Sequence, residues 1–305
     1  MARAIRFIPE GGAVVEVTGR TLQGRLLLRP CQELRAVTLG ILARAKRLHG
    51  VKLHSFIFLS NHFHLLVSVQ DAQQLASFMC YVSSNLAREA GRLYQWKEKF
   101  WGRRYQGIIV SNEAESQIDR LEYILSHGVK EGLVERPQDW PGAHSVNALL
   151  TGESLEGLWF DRTKEYAARR RGEDFDRLAY ATFEILTLDP LPCWSGLPDD
   201  LYRERIASLL AQIEEKARAE RERKGREPLG RAAILSQDPH GKPIRSKKSS
   251  APRFHAFRKS VRQDLYEGYS WFVAAFRDAS EKLRSGDLTA SFPPGSFPPA
   301  LPFVS

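Results

Sequence analysis

The chain has 305 residues, 43% of them hydrophobic and 27% charged, with a net charge of +9. That apolar share supports at least one sizeable core and excludes a wholly disordered chain, and the length suggests about two domains. The three cysteines, Cys31, Cys80 and Cys193, form neither a disulfide framework nor a metal-ligand spacing, and no apolar run reaches the ~18 residues of a membrane span; the expectation is a cytoplasmic protein without a membrane partner.

In chain order, Ala13–Thr18 is short and β-branched and reads as a strand. Glu33–Leu48 repeats apolar residues at helical spacing, with Gly40 inside and Gly50 as a stop. Leu53–Val69 has no Gly or Pro and reads as a buried strand pair or one long strand. Ala72–Leu93 is helical, Gly107–Ser111 a short strand, and Glu113–Val129 a helix with Ile118, Leu121, Ile124 and Leu125 as its stripe. Alternation of this kind predicts an α+β fold with helices packed on a sheet. Gly152–Gly157 reads as a loop, and Thr163 to Arg226 as mostly helical with a break at Leu188–Pro198. Pro239–Pro252 is a polar, basic linker or arm, Phe254–Arg284 returns to helical periodicity, and the Pro-rich end from Phe292 reads as an extended tail. The expected units are a core over residues 1–150, a charged helical region over 151–238, and a basic arm, helix and tail over 239–305.

The charge is uneven. Residues 1–150 carry 19 Lys/Arg against 13 Asp/Glu, residues 151–238 carry 15 against 18, and residues 239–305 carry 11 against 5. Two basic blocks flank a slightly acidic middle, which points to a polyanionic partner without requiring one.

The stretch Ser60-Asn61-His62-Phe63-His64-Leu65-Leu66-Val67 carries the first chemical signal. On a strand, His62 and His64 project to one face and Phe63 to the other. Two imidazoles so placed can share one divalent metal, or can simply occupy a half-polar sheet face. The second signal is Tyr123 and His127, one turn apart on a helix. Docked on the two strand histidines, that helix would add a third ligand and a tyrosine hydroxyl. Read alone, Tyr123 is equally a half-buried packing residue.

Together these motifs resemble the single-tyrosine HUH transposases (His-hydrophobe-His), the insertion-sequence and REP-associated tyrosine transposases. Those proteins read Pro-Asn-His-Val-His-Leu-Leu-Val where this chain has Ser60 to Val67. They carry an aromatic-basic run matched by Phe100-Trp101-Gly102-Arg103-Arg104-Tyr105, and Tyr-Ile-x-x-Asn-Pro-Val-Arg-x-Gly-Leu-Val matched by Tyr123 to Val134. A Pro-x-Asp-Tyr/Trp-Pro signature follows, matched by Pro137 to Pro141, with Ser145 shortly after; the opening Ala-Arg-x-x-Arg and Val17 to Arg20 also fit. The resemblance covers roughly Arg3 to Ser145. His127-Gly128 replaces the usual Asn-Pro, and Ser60 a common Pro.

The resemblance implies a ferredoxin-like HUH core, an antiparallel sheet with helices on one side, followed here by a mainly helical C-terminal extension. It implies Mg²⁺ or Mn²⁺ held by His62, His64 and His127, with Tyr123 as nucleophile. The activity implied is nicking and strand transfer of single-stranded DNA, with hairpin or inverted-repeat structure, through a 5′-phosphotyrosine. It leaves room for a homodimer in which the tyrosine helix serves the partner subunit. The alternatives are a non-catalytic, domesticated single-stranded DNA or hairpin-binding protein on the same fold, and a replication-initiation or relaxase-like nickase. Three histidines are softer donors than oxygen, which tilts the metal towards Mn²⁺ or another transition ion.

DNA contacts are expected from Arg20, Trp101, Arg103, Arg104 and Tyr105, since aromatic faces stack bases and Arg holds phosphates. Trp101 and Tyr105 could equally be core residues. A second set, Lys242, Arg245, Lys247 and Lys248, lies in the basic arm, where the alternative is a solvated linker. His49, His54, His144, His240 and His255 have no partner at informative spacing and read as structural, as does the Arg/Glu-rich middle.

Overall fold

The computed structural model describes residues 6–172, 176–243 and 252–300. Its first half runs β1 (Ala13–Arg20), α1 (Gln32–His49), β2 (Lys52–Phe58), β3 (His62–Val69), α2 (Ala72–Leu93), β4 (Gln106–Val110) and α3 (Ala114–Lys130). The first four strands lie in the order β2-β3-β1-β4, each antiparallel to its neighbours. A β-α-β-β-α-β chain with that order is the ferredoxin-like arrangement expected from the sequence. The helix ends follow from local chemistry. The Cys31 thiol accepts from Leu34 N at the start of α1, Gly50 closes it at φ 61°, and the Asp71 carboxylate caps α2 on Gln74 N.

One expectation is corrected here: helices cover both faces of the sheet, not one. Val15, Val17, Phe63, Leu65 and Val67 pack in one core with α1 and α2. Val14, Ile57, Leu66 and Val110 pack in a second core with Leu121, Ile124 and Leu125 of α3. A sheet covered on both faces needs strands apolar on both sides, which explains the unbroken Leu65-Leu66-Val67.

Beyond α3 come α4 (Val146–Thr151), β5 (Leu155–Phe160), α5 (Arg162–Arg170), β6 (Ala181–Leu186), α6 (Asp199–Lys224), α7 (Arg231–Leu235), β7 (Phe254–His255) and α8 (Lys259–Arg284). The helical reading of Thr163 to Arg226 holds for α5 and α6, but the expected loop at Gly152–Gly157 and the stretch at Ala181–Leu186 are corrected by β5 and β6, which form an antiparallel hairpin against α1. The contact is backbone to backbone: a methyl at Gly40 would overlap the Leu158 carbonyl, and one at Gly157 would overlap Gly40 N. Gly40 is therefore a close-approach residue rather than a weak point of the helix. Gly40→Ala should lower stability by about 2 kcal/mol despite the ~1 kcal/mol gain in helix propensity, because overpacking forces backbone apart. An unchanged denaturant midpoint would contradict this.

The helical reading of Phe254–Arg284 holds for α8, while Phe254 and His255 before it form β7, which pairs parallel with β4 as a fifth strand. Glu113 holds that segment. Its carboxylate accepts from Phe257 N, Arg258 N, Arg258 Nε and Ser111 Oγ at 2.7–3.1 Å. Burial alone would raise its pKa, but the Arg258 guanidinium and the other donors hold it down to about 2, from 4.5. The folded-state pKa is depressed, so this stabilisation is complete above about 4.5 and is lost as pH falls towards about 2. Hydrogen exchange in α8 should rise across that window, and Glu113→Gln should flatten the dependence. All three cysteines are free. Among the described residues no helix is long and apolar enough to cross a membrane.

Candidate active site

His62 and His64 stand at the start of β3, opposite Arg20 and Thr18 of β1, on the face covered by α3. The turn before them is tied down, with Leu59 N donating to His62 O and Asn61 Nδ2 to Gly24 O. On α3, Tyr123 and His127 lie one turn apart and meet the strand histidines. The ring centroids of His64 are 4.5 Å from His127 and 5.4 Å from Tyr123. One ligand nitrogen from each of His62, His64 and His127 lies within 4.8 Å of the others.

Hydrogen bonding fixes how each ring is presented. Asn61 Oδ1 accepts from His62 Nδ1 at 2.6 Å, so Nε2 of neutral His62 is a lone pair, and it faces His127 Nε2 at 2.8 Å. His64 Nδ1 donates to Glu16 Oε1 at 2.9 Å, which leaves His64 Nε2 as its free donor atom. His127 Nδ1 is buried without a partner. Burial, with repulsion by a proton on a neighbouring imidazole, pulls His62 down to about 3 and His127 to about 2. Both are therefore neutral at pH 7, the form that coordinates metal. Two nitrogens each ~2.1 Å from one ion and at right angles are ~3 Å apart, close to the separation of His62 and His127. The donor set fits a divalent ion.

Behind His64 lies a group the sequence reading missed. Glu16 is 2% exposed, and its second oxygen meets His255 Nε2 at 3.0 Å and Arg120 Nη1 at 3.6 Å. Burial would raise its pKa, but the His255 and His64 hydrogen bonds prevail and hold it lowered, so the carboxylate is charged. His255, read from the sequence as structural and without a partner at informative spacing, has Glu16 and Arg120 as its partners. The signal was a lone Glu inside Ala-Val-Val-Glu-Val, a residue type that is rarely buried unless paired.

Tyr123 is half-buried and lines a cleft of about 920 Å³ between α3 and α6. Burial and the Glu16 charge raise its pKa, against the pull of Arg120. Arg120 and Lys130 lie 4.9 and 4.8 Å from its ring centroid. Helix α6 packs on α3 through Ile206, Leu209, Leu210 and Ile213, and its Lys216, Arg221 and Lys224 line the cleft.

Residues 31–127 match the family model of the IS200-like transposases. That span is transposase-like, and so of a DNA-processing class. It contains His62, His64, Tyr123 and His127, and leaves out β1 with Glu16 and Arg20. Two solved structures are similar to part of the chain. One is a REP-associated tyrosine transposase bound to a REP hairpin, 19% identical over 49% of this chain and 85% of that one, TM-score 0.39. The other is a candidate transposase from Deinococcus radiodurans R1, 16% identical over 40% and 95%, TM-score 0.28. No curated protein matches the chain.

The basic residues of the IS200-like span and its neighbours fall in different places. Arg20 is exposed beside His62 and helps to lower that ring's pKa. Arg103, Arg104 and Tyr105 lie across the sheet from the histidines, in a groove of about 700 Å³ floored by Val15, Gly107 and Ile109. Arg6, Lys99 and Arg253 join them, and no carboxylate is among the described lining residues. The half-buried Trp101 ring packs on Phe63 and Phe100, and its Nε1 donates to Ser83 O at 2.9 Å. Lys242 is exposed next to Gly241, whose carbonyl accepts from Leu26 N. Arg245, Lys247 and Lys248 lie outside the described residues.

Proposed function

We propose that the protein nicks single-stranded DNA and transfers strands through a 5′-phosphotyrosine at Tyr123, with a divalent ion held by His62, His64 and His127. The observation that carries this is the convergence of three imidazole donors with a tyrosine ring packed on two of them. When bound, a divalent ion would supply positive charge to the scissile phosphate and favour the phenolate. The chain's own groups do the rest. Tyr123 Oη, its proton lost to solvent, forms a bond to phosphorus as the P–O3′ bond breaks, and the leaving 3′-oxygen takes up a proton from solvent to become a 3′-hydroxyl. Arg120 and Lys130 flank the ring where phosphate charge must lie. The ester keeps the bond energy, so a second 3′-hydroxyl can reverse the step and join DNA without ATP. Burial and Glu16 both disfavour the phenolate, against the pull of Arg120, which supports a role for a cation here.

The groove holding Arg103, Arg104 and Tyr105, with no carboxylate among its described lining residues, supports a nucleic-acid partner. Its charge contrasts with the cleft at Tyr123, where six cations meet five carboxylates. Replacing Arg103 and Arg104 with Ala should make the log K against log salt slope for single strands shallower by about 1.4, at ~0.7 per phosphate. An unchanged slope would take the groove out of DNA binding.

The deciding experiment is incubation with single-stranded oligonucleotides carrying hairpins, with and without Mn²⁺, followed by denaturing electrophoresis and mass spectrometry. A cation-dependent adduct on Tyr123 is expected. Tight binding without any adduct would favour the non-catalytic alternative.

A further inference from the structure

The C-terminal segment reaches the histidine site from behind. Phe254 and His255 join the sheet at β4, placing the His255 side chain over β1 beside Glu16. The segment is anchored on both sides of the ring. Ser111 N donates to His255 O at 2.8 Å, and Glu113 holds Phe257 N and Arg258 N. His255 Nε2 and His64 Nδ1 therefore sit on opposite oxygens of one buried carboxylate.

We infer that His255 is a positioning residue for the histidine site: by fixing the Glu16 carboxylate it fixes the tautomer and orientation of His64, so that His64 Nε2 is presented towards His127 and Tyr123. The physical basis is general. An imidazole ligand is set by the hydrogen bond on its other nitrogen, and the carboxylate there must itself be held. Arg120 Nη1 stands 3.6 Å from the same Glu16 oxygen and 3.4 Å from His255 Nε2, so the three form one cluster in which His255, at 3.0 Å, makes the shortest contact to that oxygen. The C-terminal extension thereby becomes part of the site and not an appendage to it. The inference rests on the metal-site reading for its consequence, but its first readout does not need metal.

The test uses the full-length protein with His255→Phe, which fills the space without a donor, and His255→Gln, which keeps an amide donor. Nitrogen-15 NMR of the metal-free protein reads the His64 tautomer. Wild type and His255→Gln should show a single Nδ1–H form, and His255→Phe a mixture of the two. Calorimetric Mn²⁺ affinity should fall about 10- to 100-fold in His255→Phe and recover in His255→Gln. Thermal melting checks that each variant is folded. A wild-type His64 tautomer in folded His255→Phe would overturn the inference. If the tautomer is lost but even the wild type takes up no Mn²⁺, the positioning role stands and the metal reading fails.

Discussion

Tyr123→Phe is expected to abolish covalent protein–DNA adducts, a loss of at least ~10⁴-fold or ~5 kcal/mol in the barrier, while oligonucleotide affinity stays within about threefold. The substitution removes one oxygen and leaves the ring. That ring packs on His64 and His127 at centroid distances of 5.4 and 5.1 Å, and Phe would keep both contacts. The fold and the DNA-binding surfaces should therefore survive, and a lost adduct would report chemistry. Among the other tyrosines, Tyr94 donates to Arg29 O, Tyr202 packs on Trp194, and Tyr105 lies in the groove with Arg103 and Arg104. Adducts retained in Tyr123→Phe, mapped by mass spectrometry to another peptide, would sink the assignment.

Much of the core was legible because its signals are local. The span Leu53–Val69 resolves into β2 and β3 around a three-residue turn, and His-x-His puts two rings on one face by strand geometry alone. The i, i+4 pair Tyr123 and His127 needs only helical periodicity. What stayed hidden depends on pairings far apart in sequence. In β6, Phe183 and Ile185 point to solvent at 77% and 66% exposure, while Glu184 is buried on Arg44 and Arg47. Its hydrophobic pattern is thus inverted relative to the face it buries, and periodicity misreads it. Two-residue β7 is too short to carry a pattern at all. Glu16 shows as one carboxylate in an apolar strand, which signals a partner but cannot name it. His255, far along the chain, becomes meaningful only once β7 lies beside β4.

Replacing His62 and His64 together with Ala should abolish divalent-dependent adduct formation, by at least ~10³-fold, and should also remove cation-induced stabilisation. The second readout is the sharper one. A ligand present at 100 times its dissociation constant stabilises the native state by ~2.7 kcal/mol. Mn²⁺ at that excess should raise the wild-type melting temperature by several degrees and leave the double variant unmoved, because a lone imidazole of His127 cannot hold the ion. The metal-free variant should remain folded. Phe63 and Leu65 anchor β3 on the opposite face, and Glu16 keeps His255 when His64 is gone. Ala at both positions introduces a cavity and takes the His64 donor from buried Glu16 Oε1; a cost of ~1–3 kcal/mol is expected. Equal Mn²⁺ shifts in wild type and double variant would move the cation elsewhere on the protein. Adducts that form at the wild-type rate in the variant would leave Tyr123 to act on a phosphate without it, against a phenol that burial and Glu16 already hold protonated.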